Sequence, residues 1–312
     1  MPRARTAAAC ALLAALAVSG CSGGASGNGS AVSEGHPDAC PGEVVDVVVS
    51  VGQWGDLVRQ LGGDCATVTT IVSSGAVDPH DFEPGTAALA AFSDADLVVY
   101  NGADYDHWAE DAAATLDPEP AVVSAADVAG VADEGADPHL WYSPKVVQEM
   151  STAVSGALAD LATDDAADYL AERAAAWAEA RAPYDDAVRN VAALASGRTY
   201  AATEPVFDRM AEAVGLTDAT PEGYRRAASN DSDPAPGDLT AFEAVLADGS
   251  VDVLVFNTQT SGSVPDQLRT AAERAGVPVV EVSESPADAD GSFVAWQVAQ
   301  LTELSDALGR TP

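Results

Sequence analysis

The sequence predicts an α/β protein of two lobes, each with a mostly parallel sheet flanked by helices, joined by a long rigid helix. Short β-branched runs alternate with helical patterns, which is typical of parallel sheets covered on both faces. The alternation recurs beyond a long stretch rich in Ala, Glu and Arg. After the N-terminal leader, about 270 residues remain, more than a single core usually holds.

The predicted first lobe, residues 40–163, begins with alternating strands and helices. Its strands are the β-branched runs at 44–51, 66–72, 96–101 and 121–124. Helical patterns lie between them at 54–63, which closes on a glycine pair, and at 83–95.

Residues 164–195 predict the linking helix, because Ala, Leu, Glu and Arg dominate this stretch. At about 1.5 Å per residue it would span well over 40 Å, which suits a rigid connector better than a hinge. Pro183 lies inside it and is expected to kink or split it. An independent helical hairpin is the alternative.

The predicted second lobe, residues 196–312, repeats the α/β pattern. Its strands are expected at 198–203, 251–257 and 278–283, with helices at 205–215 and 265–276. The acidic segment 230–238 predicts a loop and a helix entry, with Pro236 near the first turn.

The N-terminus predicts an export signal over residues 1–20. Arg3 and Arg5 precede an apolar run too short to cross a bilayer, which needs about 20 residues. The four residues ending at Cys21 resemble a bacterial lipobox, in which that cysteine is lipidated. An ordinary cleaved signal is the alternative. Residues 21–39, rich in Gly and Ser, predict a flexible tether, with His36 solvated within it.

Two of the four cysteines remain for the folded part. Cys10 leaves with the signal and Cys21 is the lipidation candidate, so Cys40 and Cys65 are predicted to form a disulfide in an exported, oxidising setting. Two buried free thiols are the alternative.

The formal charge is −35, from 49 acidic and 14 basic residues. Such a surface repels nucleic acid and anionic lipid headgroups, which argues against both as partners. Solubility explains the same charge, so it does not by itself identify a ligand.

Two of the four histidines lie in near-identical settings, Asp-Pro-His at His80 and again at His139. His80 follows a predicted strand, and His139 precedes a helix that opens at Ser143-Pro144. Ligands in open α/β sheets collect at the carboxyl ends of strands, so both imidazoles lie where a site is expected. The neighbouring aspartate can accept a hydrogen bond that orients the motif.

The ordered set "DPHDFEP", "VVYNGADYDHW" and "DPHLWYSP", behind a lipobox, resembles the metal-binding lipoproteins of ABC transporters for zinc and manganese, the TroA-like family. The resemblance covers about Val44 to Leu308. It implies a solute-binding protein, not an enzyme, lipid-anchored on the outer face of the cytoplasmic membrane. Its expected partner is an ABC permease, and we expect a monomer.

The resemblance also implies four metal ligands, one at each matching motif. His80 and His139 match directly, "AATEPVF" places Glu204 third, and "VEVSESPADADGSF" places Glu284 fourth. The family usually has Asp at the fourth position, so Glu281, Asp288 and Asp290 stay as substitutes. His107 is interpreted as a surface or capping histidine at a helix start, with a place on the rim of the site as the alternative.

Two imidazoles and two carboxylates suit a borderline divalent cation. Calcium would call for more oxygens, and copper(I) for sulfur. The transported ligand is therefore expected to be Zn²⁺ or Mn²⁺, with iron also accommodated. In this family a carboxylate at the third position favours manganese, whereas the affinity order favours zinc.

Two further functions stay open at this stage. Two His and one Glu with an open position also form a catalytic zinc pattern, although no H-E-x-x-H or G-x-S-x-G motif accompanies it. Some relatives are named adhesins, and a surface adhesion role is compatible with metal binding.

Overall fold

The structure is a computed structural model that describes Met1 and residues 30–73, 75, 82–131, 135–230, 232–260, 262–288 and 291–310. Residues 2–29, which carry the predicted signal and Cys21, lie outside the described residues. His80 and Asp290 also lie outside them.

The first sheet has strand order β1-β3-β2-β4-β5, with β1 antiparallel to β3 and the other pairs parallel. Its strands are β1 (Ala31–Ser33), β2 (Val45–Val51), β3 (Ala66–Val72), β4 (Leu97–Tyr100) and β5 (Ala121–Ser124). Central side chains such as Val49 and Val99 are completely buried. Near-continuous apolar strands of this kind need cover on both faces.

Helices supply that cover. They are α1 (Gly52–Gly62), α2 (Thr86–Ser93), α3 (His107–Ala114), α4 (Ala125–Ala129) and α5 (Pro144–Leu161). At the start of α5, the Ser143 hydroxyl accepts a hydrogen bond from the Val146 amide at 3.4 Å, and Pro144 occupies the first turn. Both features are typical helix starts, as the sequence predicts.

Part of the predicted flexible tether is a strand. Residues 31–33, placed in the flexible tether 21–39 by their composition, form β1 against the edge of β3. The side chain of Val32 stays exposed, so the backbone ladder rather than a buried side chain holds this strand. Composition alone does not reveal such edge pairing.

Cys40 and Cys65 form the predicted disulfide, with their Cα atoms 4.9 Å apart. Cys65 ends a short 3-10 turn after α1, and Cys40 precedes β2. The bridge therefore ties the entry of the central strand to the turn after the first helix.

The linking helix α6 (Ala167–Ala195) follows a 3-10 turn at Asp164–Ala166 and continues through Pro183 without a break. Pro183 is exposed, so water can satisfy the carbonyl that has lost its donor. The expected split is therefore absent from this described helix. Its buried face repeats every seventh residue, at Leu170, Trp177, Tyr184 and Val191.

The second sheet is entirely parallel in the described part of the chain, with order β7-β6-β8-β9. Its strands are β6 (Thr199–Ala202), β7 (Thr217–Asp218), β8 (Val253–Asn257) and β9 (Val279–Val282). The accompanying helices are α7 (Asp208–Val214), α8 (Glu222–Ala228), α9 (Pro236–Ala247) and α10 (Ser263–Ala275). Pro236 occupies the first turn of α9, as predicted.

The last helix, α11 (Phe293–Arg310), leaves the second sheet and packs along α6. The Phe293 amide donates to Asp56 Oδ2 on α1 at 2.9 Å, and Leu301 and Leu304 join the core that contains the first sheet. The two lobes thus share one core around α6. Among the described residues, none of the helices is both long and apolar enough to cross a membrane.

Candidate metal centre

The carboxyl ends of the second sheet bring three polar side chains together. Glu204 lies just past β6, Asn257 ends β8, and Glu284 lies just past β9. These strands are parallel, so their carboxyl ends meet at one edge of the sheet. Two of the predicted ligands are therefore neighbours although 80 positions separate them.

His139 reaches the same place from the first lobe. It directly precedes a 3-10 turn, Leu140–Tyr142, and its side chain is 10% exposed. The Trp141 ring lies edge-on at 5.4 Å between centroids. The preceding carbonyl, of Pro138, accepts from Asn101 Nδ2 at 2.8 Å, which fixes the loop against the end of β4.

Asp137 orients the His139 imidazole. Its Oδ1 lies 2.6 Å from His139 Nδ1 and accepts from the His139 amide at 3.0 Å. With Nδ1 so engaged, Nε2 is the nitrogen available to a ligand, and it faces Glu284 Oε2 at 4.0 Å. The aspartate of the second Asp-Pro-His motif thus has the orienting contact that the sequence analysis expects.

Arg209, on α7 of the second lobe, holds Asp137 in turn. Its Nε lies 3.1 Å from Asp137 Oδ2, and its Nη2 donates to the Asp137 carbonyl oxygen. A side chain of one lobe therefore supports the residue that orients an imidazole of the other.

Asn257 joins the two carboxylates. Its Nδ2 donates to Glu204 Oε2 at 2.6 Å and to Glu284 Oε1 at 2.9 Å. The Tyr105 hydroxyl, from the first lobe, donates to Glu284 Oε2 at 3.3 Å and accepts from Gln53 Nε2 at 3.0 Å. Glu284 is thus held from both lobes.

The electrostatics of the site favour a cation. Burial lowers the pKa of His139, but the hydrogen bond to Asp137 and the charges of Asp137, Glu284 and Glu204 outweigh it, so the pKa is raised. Burial raises the pKa of Glu204, and the charge of Glu284 adds to that rise. Burial also acts to raise the pKa of Asp137, but its contacts with His139 lower it overall. A cation among these acids would relieve the repulsion between Glu204 and Glu284.

The other acids near the fourth position point elsewhere or lie on the surface. Glu281 is exposed and pairs with Arg269, and Asp288 is exposed. Asp290 lies outside the described residues. Of the described acids in this group, Glu284 is therefore the one that faces His139. His107 is exposed at the first turn of α3, where the surface interpretation placed it.

Gly75, which precedes His80 in the sequence, contacts the second lobe. The Gly75 carbonyl oxygen accepts a hydrogen bond from Gln259 Nε2 at 3.3 Å. Gln259 lies two positions after Asn257. A Cβ on Gly75 would lie 2.1 Å from Gln259 Nε2 and 2.7 Å from Ser285 Oγ. A larger residue at this position would have to displace the ends of these two side chains, one of which belongs to the residue that follows Glu284.

The donor set fits a divalent metal, although its atoms are not yet at bonding positions. A tetrahedral zinc ion with bonds of about 2.0–2.1 Å would hold two donor atoms about 3.3–3.4 Å apart. The separation of His139 Nε2 and Glu284 Oε2 is 4.0 Å. Within the described part of the chain, no group of three or more His, Cys, Asp or Glu already has metal-binding geometry. A shortening of this separation by about 0.6–0.7 Å would bring the pair into range.

Three residues of the site escaped the sequence analysis: Asn257, Arg209 and Tyr105. The signal for Asn257 was present, since it ends an apolar strand at the edge where ligands collect. Tyr105 lies inside the quoted segment "VVYNGADYDHW". Nothing local marks Arg209, because its partner lies 72 positions away.

Comparisons with known proteins agree with this architecture. The family model "ZnuA: Zinc-uptake complex component A periplasmic" matches residues 47–307. The "Zinc-binding lipoprotein AdcA" of Streptococcus pneumoniae is 23% identical over 277 residues, covering 80% of this chain and 53% of AdcA. This chain thus spans about half the length of AdcA.

Two further proteins are similar over most of their length. The "High-affinity zinc uptake system protein ZnuA" of Bacillus subtilis is 25% identical, covering 77% of this chain and 79% of that protein. The SBP FpvC of Pseudomonas aeruginosa, solved in complex with Ni²⁺, superposes with a TM-score of 0.70 at 20% identity. That superposition covers 86% of this chain and 98% of FpvC, and it shows a shared fold.

The resemblance inferred from the two Asp-Pro-His motifs is thereby confirmed at the level of the family. The matched region begins within β2 and ends within α11, so it includes both sheets and the helix between them. The chain belongs to the family of periplasmic zinc-uptake components A.

Proposed function

We propose that this protein captures a divalent transition metal, zinc or manganese, between its two lobes and delivers it to an ABC permease. One observation carries the proposal. His139 Nε2 of the first lobe faces Glu284 Oε2 of the second, while Glu204 is tied to Glu284 through Asn257. Residues far apart in the sequence thus form one acidic, partly buried site, and family membership supports its use in uptake.

The proposed ligands are His80, His139, Glu204 and Glu284. His139 offers Nε2, because Asp137 engages its other nitrogen. The two carboxylates balance the charge of a divalent cation, which makes a partly buried site tolerable. His80 is proposed from its motif alone. It would be the fourth donor and, with His139, one of the two from the first lobe.

The proposed setting is the outer face of the cytoplasmic membrane. Lipidation of Cys21 would anchor the chain there, and the protein would act as a monomer with its permease. The name of AdcA, a zinc-binding lipoprotein, supports both the metal and the anchor.

Family membership favours transport over the metallohydrolase alternative. The adhesion role is compatible with transport, but the described contacts support metal capture rather than a contact surface for another cell or matrix. We therefore retain metal delivery as the function.

The test uses the mature chain, stripped of metal and then equilibrated with Zn²⁺ or Mn²⁺. Metal at about 100 times its Kd should stabilise the fold by about 2.7 kcal/mol. For a chain of this size, that corresponds to a rise in Tm of about 5–10 °C. His139→Ala and Glu284→Gln should each abolish most of the rise.

A matched control is His36→Ala, which removes an exposed histidine outside the site. It should leave the metal-dependent rise unchanged. If the wild-type protein shows no rise with either metal, or if His139→Ala keeps the full rise, the proposed function is wrong.

A further inference from the structure

Asn257 has an amide whose orientation is fixed by its surroundings. It is 1% exposed, and its Oδ1 accepts the Gln259 amide hydrogen at 3.1 Å. Its own backbone amide donates to Thr203 Oγ1 at 3.1 Å. Because the oxygen is already engaged with a donor, the NH₂ group must face the two carboxylates.

Each N–H of this NH₂ group occupies one oxygen of one carboxylate. The acceptors are Glu204 Oε2 at 2.6 Å and Glu284 Oε1 at 2.9 Å. A carboxylate that binds a cation through both oxygens must turn both toward it. At these distances one lone pair of each held oxygen points to the amide, which opposes the rotation that would bring both oxygens of one carboxylate to a cation. Glu284 Oε2 faces His139 and accepts the longer, 3.3 Å hydrogen bond of the Tyr105 hydroxyl, so it is the oxygen that turns more easily to a cation.

We propose that Asn257 is a specificity-determining residue: by restricting Glu204 and Glu284 to one metal-binding oxygen each, it favours four-coordinate Zn²⁺ over Mn²⁺. The inference rests on the proposed function, since it requires these carboxylates to bind the cargo. His139, the proposed ligand His80 and two single carboxylate oxygens would make four donors, which is the number that zinc prefers. Manganese favours octahedral, oxygen-rich surroundings, which two bidentate carboxylates would supply.

The amide is suited to this role because it is neutral and has two donors. A carboxylate in its place would add a third negative charge beside Glu204 and Glu284, and an apolar side chain would remove the hydrogen bonds that restrict the rotation of both. Without the amide, both carboxylates could bind through two oxygens, so Mn²⁺ binding should weaken less than Zn²⁺ binding. The second sphere of a metal site commonly changes affinity by about 10- to 100-fold. We expect the ratio of Zn²⁺ to Mn²⁺ affinity to fall at least about tenfold in Asn257→Ala.

The experiment measures both affinities at buffered free metal concentrations in the wild-type mature chain, Asn257→Ala and Asn257→Ser. Ser keeps one short donor, so its ratio should lie between the other two. X-ray absorption at the metal edge gives the number of ligand atoms, which a purely structural role would not alter. Zinc in the wild type should have about four. Manganese in Asn257→Ala should have more oxygen ligands than in the wild type. Asn230→Ala, which removes an exposed amide on the surface, is the matched control and should match the wild type.

The outcomes separate the two proposals. If the wild type binds neither metal, the proposed function fails and this inference falls with it. If the wild type binds metal but the ratio and the ligand number are the same in all variants, only the role of Asn257 is refuted. If Asn257→Ala does not fold, the wild-type spectrum still decides, because a bidentate carboxylate on zinc would overturn the inference.

Discussion

Replacing Arg209 with Met tests whether the second lobe supports a ligand of the first. The guanidinium lies 3.1 Å from Asp137 Oδ2 through Nε and also donates to the Asp137 carbonyl. Met keeps much of the side-chain length and removes both contacts. Asp137 would then orient the His139 imidazole without support from the other side of the cleft.

The size of the effect follows from the partial burial of the pair. The side chains of Arg209 and Asp137 are 23% and 26% exposed. Fully exposed ion pairs contribute about 0.2–1 kcal/mol, and breaking a buried pair costs about 3–5 kcal/mol. An intermediate pair should therefore be worth about 1–2 kcal/mol to the fold. To the extent that the orientation of His139 depends on it, metal binding should weaken by up to about 5- to 30-fold.

Metal affinity is measured by competition with a chelator of known affinity, and the metal-free variant is unfolded with urea in parallel. Arg209→Lys keeps the charge but loses the forked geometry, so it should fall between Met and the wild type. Arg189→Met, which removes an exposed ion pair with Asp186, is the control and should change either quantity by less than about 0.5 kcal/mol. A metal affinity for Arg209→Met equal to that of the control would refute the reasoning.

Three further predictions concern stability. Burial raises the pKa of Asp208 to about 6 from its ordinary value of 3.8. The folded state therefore binds the proton of this carboxyl group more tightly than the unfolded chain does. The stability of the fold should fall as the pH rises from about 4 to 6. Asp208→Asn has no carboxyl group to titrate, so its free energy of unfolding should rise by about 2–3 kcal/mol relative to that of the wild type between pH 4 and pH 7. Urea unfolding at both pH values measures this, and a difference between the two proteins that does not change with pH would contradict it. Replacing Cys40 and Cys65 together with Ala removes a cross-link across 25 positions and should lower the free energy of unfolding by about 3 kcal/mol, as should reduction of the wild type. Tyr142→Phe removes a buried hydroxyl that donates to the Ser283 carbonyl at 2.7 Å, so it should cost about 1–2 kcal/mol, and an unchanged urea midpoint would show that this contact contributes nothing.

The fold could be predicted from the sequence because its elements are local. β-branched runs such as 66–72 and 121–124 became strands at those same bounds. The long Ala-rich stretch became α6, and Pro183 did not interrupt it because it lies on the solvent side. The edge strand β1 was missed because its pairing depends on the position of β3, which no local pattern contains.

The sequence predicted the candidate metal ligands but not the residues that hold them, because those contacts also depend on how distant segments pack. Motif resemblance named His139, Glu204 and Glu284 because each lies within a recognisable segment. Asn257 and Arg209 act through partners 27 and more positions away, so their roles emerge only once the strands are in register. The domain limits and the full ligand set stay predictions.

The contacts across the cleft bear on how the metal enters and leaves. Tyr142 donates to the Ser283 carbonyl, and the Phe293 amide donates to Asp56, so both lobes are tied beside the site and again along the shared core. Wide hinge opening would break these buried bonds and expose part of that core, at a cost of several kcal/mol. Rotation of Glu284 away from His139 breaks only the partly exposed contacts at the site. Under the proposed function, we therefore expect the metal to exchange through small local movements and slight rocking about α6.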